Sequence, residues 1–167
     1  MSRPIYIAQG EDAVSTDPEV MITTILGSCI SICLWDEVAR VGGMNHLLLP
    51  GLRAQCDPMN TSGAVAMERL INEMVHQGAV RARLRAKLFG GSSMLDGRTD
   101  IGKRNAEFGR TYLKNEAIPC DAENVGGTKA RKLRYFPVTG VAQMKLVDEA
   151  PALAPARQEE ANDVELF

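Results

Sequence analysis

The chain has 167 residues, 45% of them hydrophobic, and a formal net charge of −2 at pH 7. This length and apolar content suit one small globular domain with a sizeable core, and the charge gives no indication of nucleic-acid binding. No apolar run is long enough for a signal peptide or a membrane span, so we expect a cytoplasmic protein.

A strand, a tight turn and a cysteine make up the first informative segment. Residues 23–26 are extended and lead into a turn at Gly27 and Ser28. Cys29 then opens a strand in which apolar and polar residues alternate over 30–35. Gly27 lets the backbone turn tightly, and the backbone amides of Ser28 and Cys29 are candidate donors to an oxyanion.

A second extended segment, residues 41–49, predicts a hairpin with that strand. If the turn is centred on Glu37–Val38, Cys29 faces His46 across the pair, and directly opposed Cβ atoms lie about 4.5–5.5 Å apart. Gly42 and Gly43 add no side chains to this strand, which predicts a shallow groove where another backbone can approach. The pattern therefore places a thiol beside an imidazole.

Cys29 and His46 in this arrangement suit nucleophilic catalysis. The thiolate is the nucleophile, a neighbouring imidazolium lowers the thiol pKa, and the imidazole can protonate a leaving amine. Thr23 on the preceding strand can reach the second ring nitrogen through its hydroxyl or its backbone carbonyl and fix the tautomer. The structural alternative is that Cys29 is a small buried core residue, as cysteines in apolar strands usually are.

The cysteines have no spacing typical of a disulfide framework or a zinc site. On one strand, Cys29 and Cys33 would lie about 13 Å apart, whereas each thiolate on a shared zinc ion sits about 2.3 Å from the metal. Cys33, Cys56 and Cys120 are interpreted as structural residues. We therefore expect free thiols, no metal and a reducing compartment.

Further along the chain, helical and strand patterns alternate. A polar loop precedes a helix predicted from Thr61 or Ser62 to Gly78. Alternating basic residues over 81–88 predict a strand with one apolar face and one solvated basic face. The loop over residues 90–93 lacks the order of a phosphate-binding loop and is expected to shape the rim of the site.

A second helix is predicted behind a cap at Asp100 and ends near Asn115. Asn105 lies on its inner face, where we expect its side chain to hydrogen-bond buried backbone. A basic cluster over residues 129–134 then enters a strand that continues to residue 138, and another strand covers residues 141–147. Together these elements predict an α+β domain with mostly antiparallel strands and two main helices.

The composition changes after residue 147 to alanine, proline and acidic residues. Such a segment buries too little apolar surface to offset its ordering entropy. We predict one domain over residues 1–147 and a disordered tail over residues 148–167. The apolar end of that tail, Asp163–Phe167, has the pattern of a short docking peptide.

Six short blocks lie in order along residues 3–147. They are Thr23-x5-Cys29 with Leu26-Gly27-Ser28, Gly43–His46 followed by Leu49-Pro50, Ala86–Gly91, Ile101–Asn105, Val125–Gly127, and Arg131-Lys132 ending in Thr139-Gly140. As an ordered set they resemble the chemoreceptor glutamine deamidase family, CheD. Each block is weak alone, and the ordered set is specific.

The resemblance implies a cysteine hydrolase that converts glutamine side chains to glutamate through a thioester and releases ammonia. Cys29 would be the nucleophile, His46 the base and acid, and Thr23 the residue that orients His46. No cofactor or metal is implied. The candidate substrate or oxyanion residues are Gly27, Ser28 and Asn45.

The resemblance also implies a fold and partners. The fold would be a layered α/β/β/α, cysteine-hydrolase-like domain, and the substrate would be the cytoplasmic coiled-coil region of chemoreceptors. One alternative is a non-catalytic chemotaxis signalling module that binds and regulates a CheC-type phosphatase. Another is a thiol hydrolase that acts on small amides and accepts free glutamine.

Overall fold

Two five-stranded sheets stack face to face, and two helices cover the outer face of one of them. The computed structural model describes residues 1–49, 61–93, 101–148 and 164–167. Sheet A contains, in spatial order, β1 (Arg3–Tyr6), β3 (Val20–Leu26), β8 (Ala130–Phe136), β9 (Val141–Val147) and β10 (Glu165–Leu166). Sheet B contains β2 (Asp12–Ser15), β5 (Val41–Asn45), β4 (Ile30–Asp36), β6 (Arg85–Gly90) and β7 (Cys120–Val125). The helices are α1 (Thr61–His76) and α2 (Ile101–Asn115), with a short 3₁₀ helix at Arg81–Arg83.

Strand alternation divides the core into two apolar layers. Ile30, Ile32 and Leu34 of β4 point toward α1 and α2 and are fully buried. Cys33 of the same strand and Phe89 of β6 point toward sheet A. A large aliphatic or aromatic side chain buried in such a layer contributes about 1.5–3 kcal/mol relative to exposure.

The predicted α+β class is confirmed, with mostly antiparallel strands and two main helices. Only the β1–β3 and β6–β7 pairs are parallel among the pairs in the described ranges. The described residues form three of the four expected layers, helices, sheet B and sheet A, with no helix among them on the outer face of sheet A.

The predicted register of the β4–β5 hairpin is wrong by two residues. Asp36 pairs with Val41, so the turn spans four residues rather than two. The Asp36 carboxylate accepts hydrogen bonds from the Val38 and Ala39 amides at 3.0 and 3.1 Å, and Arg40 adopts a positive φ of 55°. An aspartate that caps its own turn in this way favours the longer loop.

The predicted groove at Gly42 is also wrong. Gly42 is buried, and a Cβ built on it would lie 2.1 Å from the backbone oxygen of Pro137. Another backbone does approach this position, as expected, but it belongs to the β8–β9 turn of the same chain. Gly42 therefore serves the packing of the two sheets rather than substrate access.

The helices lie where the sequence predicts them, with α1 ending two residues before Gly78. His76, in the last turn of α1, is exposed. The proposed cap at Asp100 and the cysteine at position 56 lie outside the described residues.

The basic residues over 81–88 do not form one solvated face. Arg83 pairs with the buried Asp36 carboxylate at 2.9 Å. Lys87 is 8% exposed, its Nζ donates to the backbone oxygens of Gly140 and Phe167, and the ammonium lies 5.1 Å from the centre of the Trp35 ring. The expectation of one solvated basic face is therefore wrong at Lys87, and the exposed Arg83 is held in an ion pair by Asp36.

The end of the chain, within the segment predicted to be a disordered tail, lies against sheet A. Glu165 and Leu166 pair antiparallel with Gln143 and Met144 of β9. The Phe167 ring packs edge-on against Phe89 with ring centroids 5.3 Å apart. The apolar end of the chain thus docks on the chain's own sheet, and residues 149–163 lie outside the described residues.

Candidate active site

The predicted nucleophile and histidine lie at the same end of the two stacked sheets. Cys29 immediately precedes β4 and His46 immediately follows β5. Ile30 and Leu47 exchange both backbone hydrogen bonds, at 3.0 and 2.8 Å, so their side chains share the face toward the helices. Cys29 and His46 consequently share the opposite face as diagonal neighbours, a separation of about 7–8 Å that an imidazole can span.

The turn that presents Cys29 is held through three successive carbonyl groups. Gly27 O accepts from the Ser92 amide at 3.0 Å, Ser28 O from the side chain of Asn105 at 2.7 Å, and Cys29 O from the Gly91 amide at 2.8 Å. The loop that follows β6 therefore supports the turn from one side, and α2 supports it from another.

Gly90 makes this close approach possible. Its φ of 109° lies in the region that only glycine adopts readily, and a Cβ there would lie 2.2 Å from Cys29 O. Any side chain at this position would displace the backbone of Cys29. Position 90 is thus restricted to glycine on two independent grounds.

His46 is fixed through both its backbone and its ring. Its amide donates to Glu11 O at 3.0 Å, and its carbonyl accepts from the Gly10 amide at 2.8 Å. Its Nδ1 lies 2.7 Å from Thr24 Oγ1, and His46 is only 7% exposed. The residues between β1 and β2 therefore help to build the site, a role that no motif in the sequence indicated.

The Thr24 hydroxyl sets the tautomer of His46. Its two hydrogen bonds can form together only when its single hydrogen is donated to Ile7 O, 2.7 Å away, because a carbonyl oxygen can only accept. Thr24 Oγ1 must then accept a hydrogen bond from Nδ1–H of His46. The ring consequently carries its proton on Nδ1 and keeps the Nε2 lone pair available as a base.

Thr23 does not make the contact expected of it. Its hydroxyl donates to Leu133 O at 2.8 Å, on the neighbouring strand β8. Thr24 shares a face of β3 with Ile22 and Leu26, which are buried between the sheets, whereas Thr23 projects from the other face. The alternation of residues 22, 24 and 26 is the sequence signal that would have identified Thr24.

Burial sets the ionisation of both groups in the resting site. Partial burial raises the pKa of the Cys29 thiol, an effect only partly offset by the amide N–H of the same residue. Burial also lowers the pKa of His46, against a smaller opposing effect of the Ile7 carbonyl. A neutral thiol and a neutral imidazole are thus favoured over a preformed ion pair.

Asn45 faces away from the site. It is fully buried, its Oδ1 accepts from the Ile32 amide at 2.9 Å, and its Nδ2 donates to Met67 Sδ of α1. Because neighbours on a strand point to opposite faces, Asn45 is directed at the helix layer while His46 points at sheet A. The prediction of a substrate or oxyanion role for this side chain is therefore wrong.

Arg131 holds the loop after β6, which in turn supports the turn before Cys29. It is 4% exposed, and it donates to Ser92 Oγ at 2.6 Å, Asn124 Oδ1 at 2.9 Å and Gly126 O at 2.8 Å. The sequence predicted only a basic cluster here. A buried guanidinium whose three donor nitrogens are all engaged is a structural clamp rather than an anion site.

The described ranges contain no group of three His, Cys, Asp or Glu side chains placed to hold a metal ion. Nor is any helix within those ranges both long and apolar enough to cross a membrane.

Comparison with known proteins gives consistent results. A family model described as CheD chemotactic sensory transduction matches residues 49–146. A probable chemoreceptor glutamine deamidase CheD from Caulobacter sp. (strain K31) is 44% identical, with 98% of this chain and 92% of that protein covered. Proteins of the same description from Acidiphilium cryptum and Agrobacterium fabrum are 47% and 41% identical, covering 93% and 99% of this chain and 84% and 97% of theirs.

The fold was also compared with solved structures. The crystal structure of the hypothetical protein YfiH of Bacillus licheniformis has a TM-score of 0.45 and 14% identity, and the match covers 67% of this chain and 49% of that one. A similarity of this size carries no argument about the site.

Proposed function

Because this chain belongs to the CheD family of chemotaxis proteins, we propose that it is a chemoreceptor glutamine deamidase with Cys29 as nucleophile and His46 as general base and acid. Its substrates are glutamine side chains in the cytoplasmic helical region of chemoreceptors. The net reaction consumes one water and converts the amide to a carboxylate with release of ammonia.

The chemistry proceeds by acyl transfer. Nε2 of His46 takes the thiol proton as Cys29 Sγ adds to the amide carbon of the glutamine. The tetrahedral intermediate collapses when His46 returns that proton to the leaving nitrogen, which gives ammonia and a γ-glutamyl thioester. His46 then deprotonates a water molecule that attacks the thioester, and the proton finally returns to the departing Cys29 sulfur.

One observation supports this assignment best: the ring of a buried histidine is held by a hydroxyl whose own hydrogen is already used. Thr24 fixes Nδ1–H of His46 and so leaves Nε2 as a base on the face shared with Cys29. A histidine with a purely structural role has no need of a fixed tautomer beside a half-buried thiol at a strand end. Thr24, rather than Thr23, is therefore our candidate positioning residue.

Mass spectrometry of a purified receptor cytoplasmic fragment tests the proposal. After incubation with the protein we expect a gain of about one mass unit at discrete glutamines, the change from amide to acid. A fragment incubated alone controls for spontaneous deamidation. No gain with several receptors, from a folded protein, would contradict the proposal and favour the alternative of a module that binds a CheC-type phosphatase. Turnover of free glutamine would instead indicate a small-amide hydrolase.

The two adjacent threonines offer a matched pair of substitutions. We expect Thr24→Val to lower kcat on the order of tenfold or more, because it removes the acceptor for Nδ1–H without changing the side-chain shape. Thr23→Val loses a bond to a buried carbonyl, which costs about 1–3 kcal/mol of folding free energy. We expect Thr23→Val to leave kcat within about twofold of wild type, as the hydroxyl touches no group of the site. Steady-state deamidation rates measure both, and a larger loss in Thr23→Val would return the positioning role to Thr23.

The pH dependence of kcat/KM reports the pKa values of the free enzyme. Burial places the pKa of His46 below its ordinary value of 6.5, so the imidazole remains neutral to a lower pH than a free histidine. The activity should therefore hold as pH falls and decline on the acid side only below pH 6.5. An acid limb centred above that value would contradict a neutral, buried base.

A further inference from the structure

Asn105 connects the turn before Cys29 with the segment that follows His46. It lies on the inner face of α2 and is 1% exposed. Its Oδ1 accepts from the Leu49 amide at 3.2 Å, three residues after His46, and its Nδ2 donates to Ser28 O at 2.7 Å, one residue before Cys29. Because the Leu49 amide can only donate and the Ser28 carbonyl can only accept, the orientation of the side-chain amide is fixed.

The bond to Ser28 O also determines where the Cys29 amide points. The Ser28 carbonyl and the Cys29 N–H belong to the same planar trans peptide unit, in which the two groups are directed to opposite sides. A carbonyl held toward Asn105 therefore turns the Cys29 N–H away from α2. That N–H lies toward the Cys29 thiol, and no backbone carbonyl in the described ranges accepts it.

The helix that carries Asn105 is a rigid support. Gly102 of α2 packs so closely on the β6 loop that a Cβ there would lie 2.3 Å from Ser92 O, and a Cβ at Gly109 would lie 2.8 Å from the Leu88 side chain. Asn105, placed between these two contacts, cannot shift without moving the helix. Electrostatic stabilisation of a transition state requires a donor whose direction is fixed in advance, and a rigid helix behind the turn fixes the direction of the Cys29 N–H.

We propose that Asn105 is a positioning residue for acyl transfer, which holds the Ser28–Cys29 peptide so that the Cys29 N–H donates to the oxyanion of the tetrahedral intermediate. The inference rests on the proposed deamidase function. The inference extends that function by assigning the oxyanion donor and the residue that orients this donor. A purely structural role would strengthen the turn without distinguishing one step of the chemistry from another.

Two reactions of Cys29 separate these possibilities. Deamidation passes through an oxyanion, whereas alkylation by iodoacetamide is a displacement at a saturated carbon and forms none. The alkylation rate, followed on the Cys29 peptide by mass spectrometry, reports the presence and ionisation of the nucleophile alone. The deamidation rate reports the nucleophile and the oxyanion donor together.

The variants are Asn105→Ala and Asn105→Asp, measured at pH 8. The aspartate keeps the acceptor for Leu49 and, once ionised, has no hydrogen to donate to Ser28 O. Tyr135→Phe is the matched control, because it removes a buried side-chain bond to the Leu34 carbonyl, 2.8 Å long, away from the site. This control variant tests whether the loss of one buried side-chain hydrogen bond, at a place away from the site, lowers kcat by itself.

For both Asn105 variants we expect kcat to fall on the order of tenfold to a hundredfold, somewhat less than complete loss of an oxyanion donor. KM and the alkylation rate should stay within about twofold of wild type, and Tyr135→Phe should keep full kcat. Unchanged kcat in a folded Asn105 variant would overturn the inference, and so would a parallel loss of alkylation. If the wild-type protein showed no deamidase activity, the proposed function on which this inference rests would be overturned instead.

Discussion

Cys29→Ser is expected to lower the deamidation rate by about 10³-fold or more. Serine keeps the shape of the side chain and the hydrogen bonds of the turn. Its hydroxyl is a far weaker acid than the thiol, and a single buried imidazole with a lowered pKa is a poor base for removing its proton. The loss of activity therefore measures the contribution of the sulfur atom itself, separately from that of the surrounding structure.

Cys120→Ser provides the matched control for that substitution. Cys120 is an exposed, free thiol at the start of β7, where its Sγ contacts Ala122 O. We expect this variant to deamidate a receptor fragment at the wild-type rate. If Cys29→Ser instead kept more than about a tenth of the activity, the sulfur of Cys29 would not be the nucleophile.

His46→Gln is expected to lower kcat by about 10²- to 10⁴-fold, the range typical of a general acid–base residue. Both stages of the proposed mechanism depend on the imidazole: it moves the thiol proton to the leaving nitrogen during acylation, and it deprotonates water during hydrolysis of the thioester. The higher pKa of a half-buried thiol increases this dependence, since little thiolate exists at neutral pH without a base.

The second histidine of the chain is the control. His76 is exposed in the last turn of α1 and should tolerate glutamine with kcat within about twofold of wild type. Thermal unfolding of both variants shows whether the fold is intact. A folded His46→Gln protein with near-normal turnover would remove the histidine from the mechanism.

The sequence predicted those parts of the site that depend on local pattern. Alternation over residues 30–35 placed Cys29 at a strand start, and the helical spacing around Asn105 placed that side chain on buried backbone. Both follow from the period of the element and the burial of one face. Gly91 lies in the loop after β6, as expected, whereas Gly90 is the last residue of that strand.

Most of the errors concern contacts between elements; the length of the β4–β5 turn is the exception, because the neighbouring side chain of Asp36 set it locally. The Cys29–His46 register depended on a turn whose length was set by the Asp36 carboxylate and the backbone amides it accepts from. The choice between Thr23 and Thr24 depended on which face of β3 meets sheet B, and a count of residues back from the cysteine does not contain that information. Lys87 was assigned to solvent because nothing local indicated the carbonyl oxygens that receive its ammonium group.

The pairing of β10 with β9 has a consequence for solubility. A sheet edge with unpaired amide and carbonyl groups is a template for association with other chains. At the opposite edge of sheet A, β1 carries Arg3 and Pro4, a charge and a residue without an amide hydrogen, both of which oppose such pairing. The edge of β9 is instead covered by Glu165 and Leu166, which pair with it. A protein truncated before residue 164 would leave this edge of β9 unpaired. We expect it to aggregate more readily than the full chain.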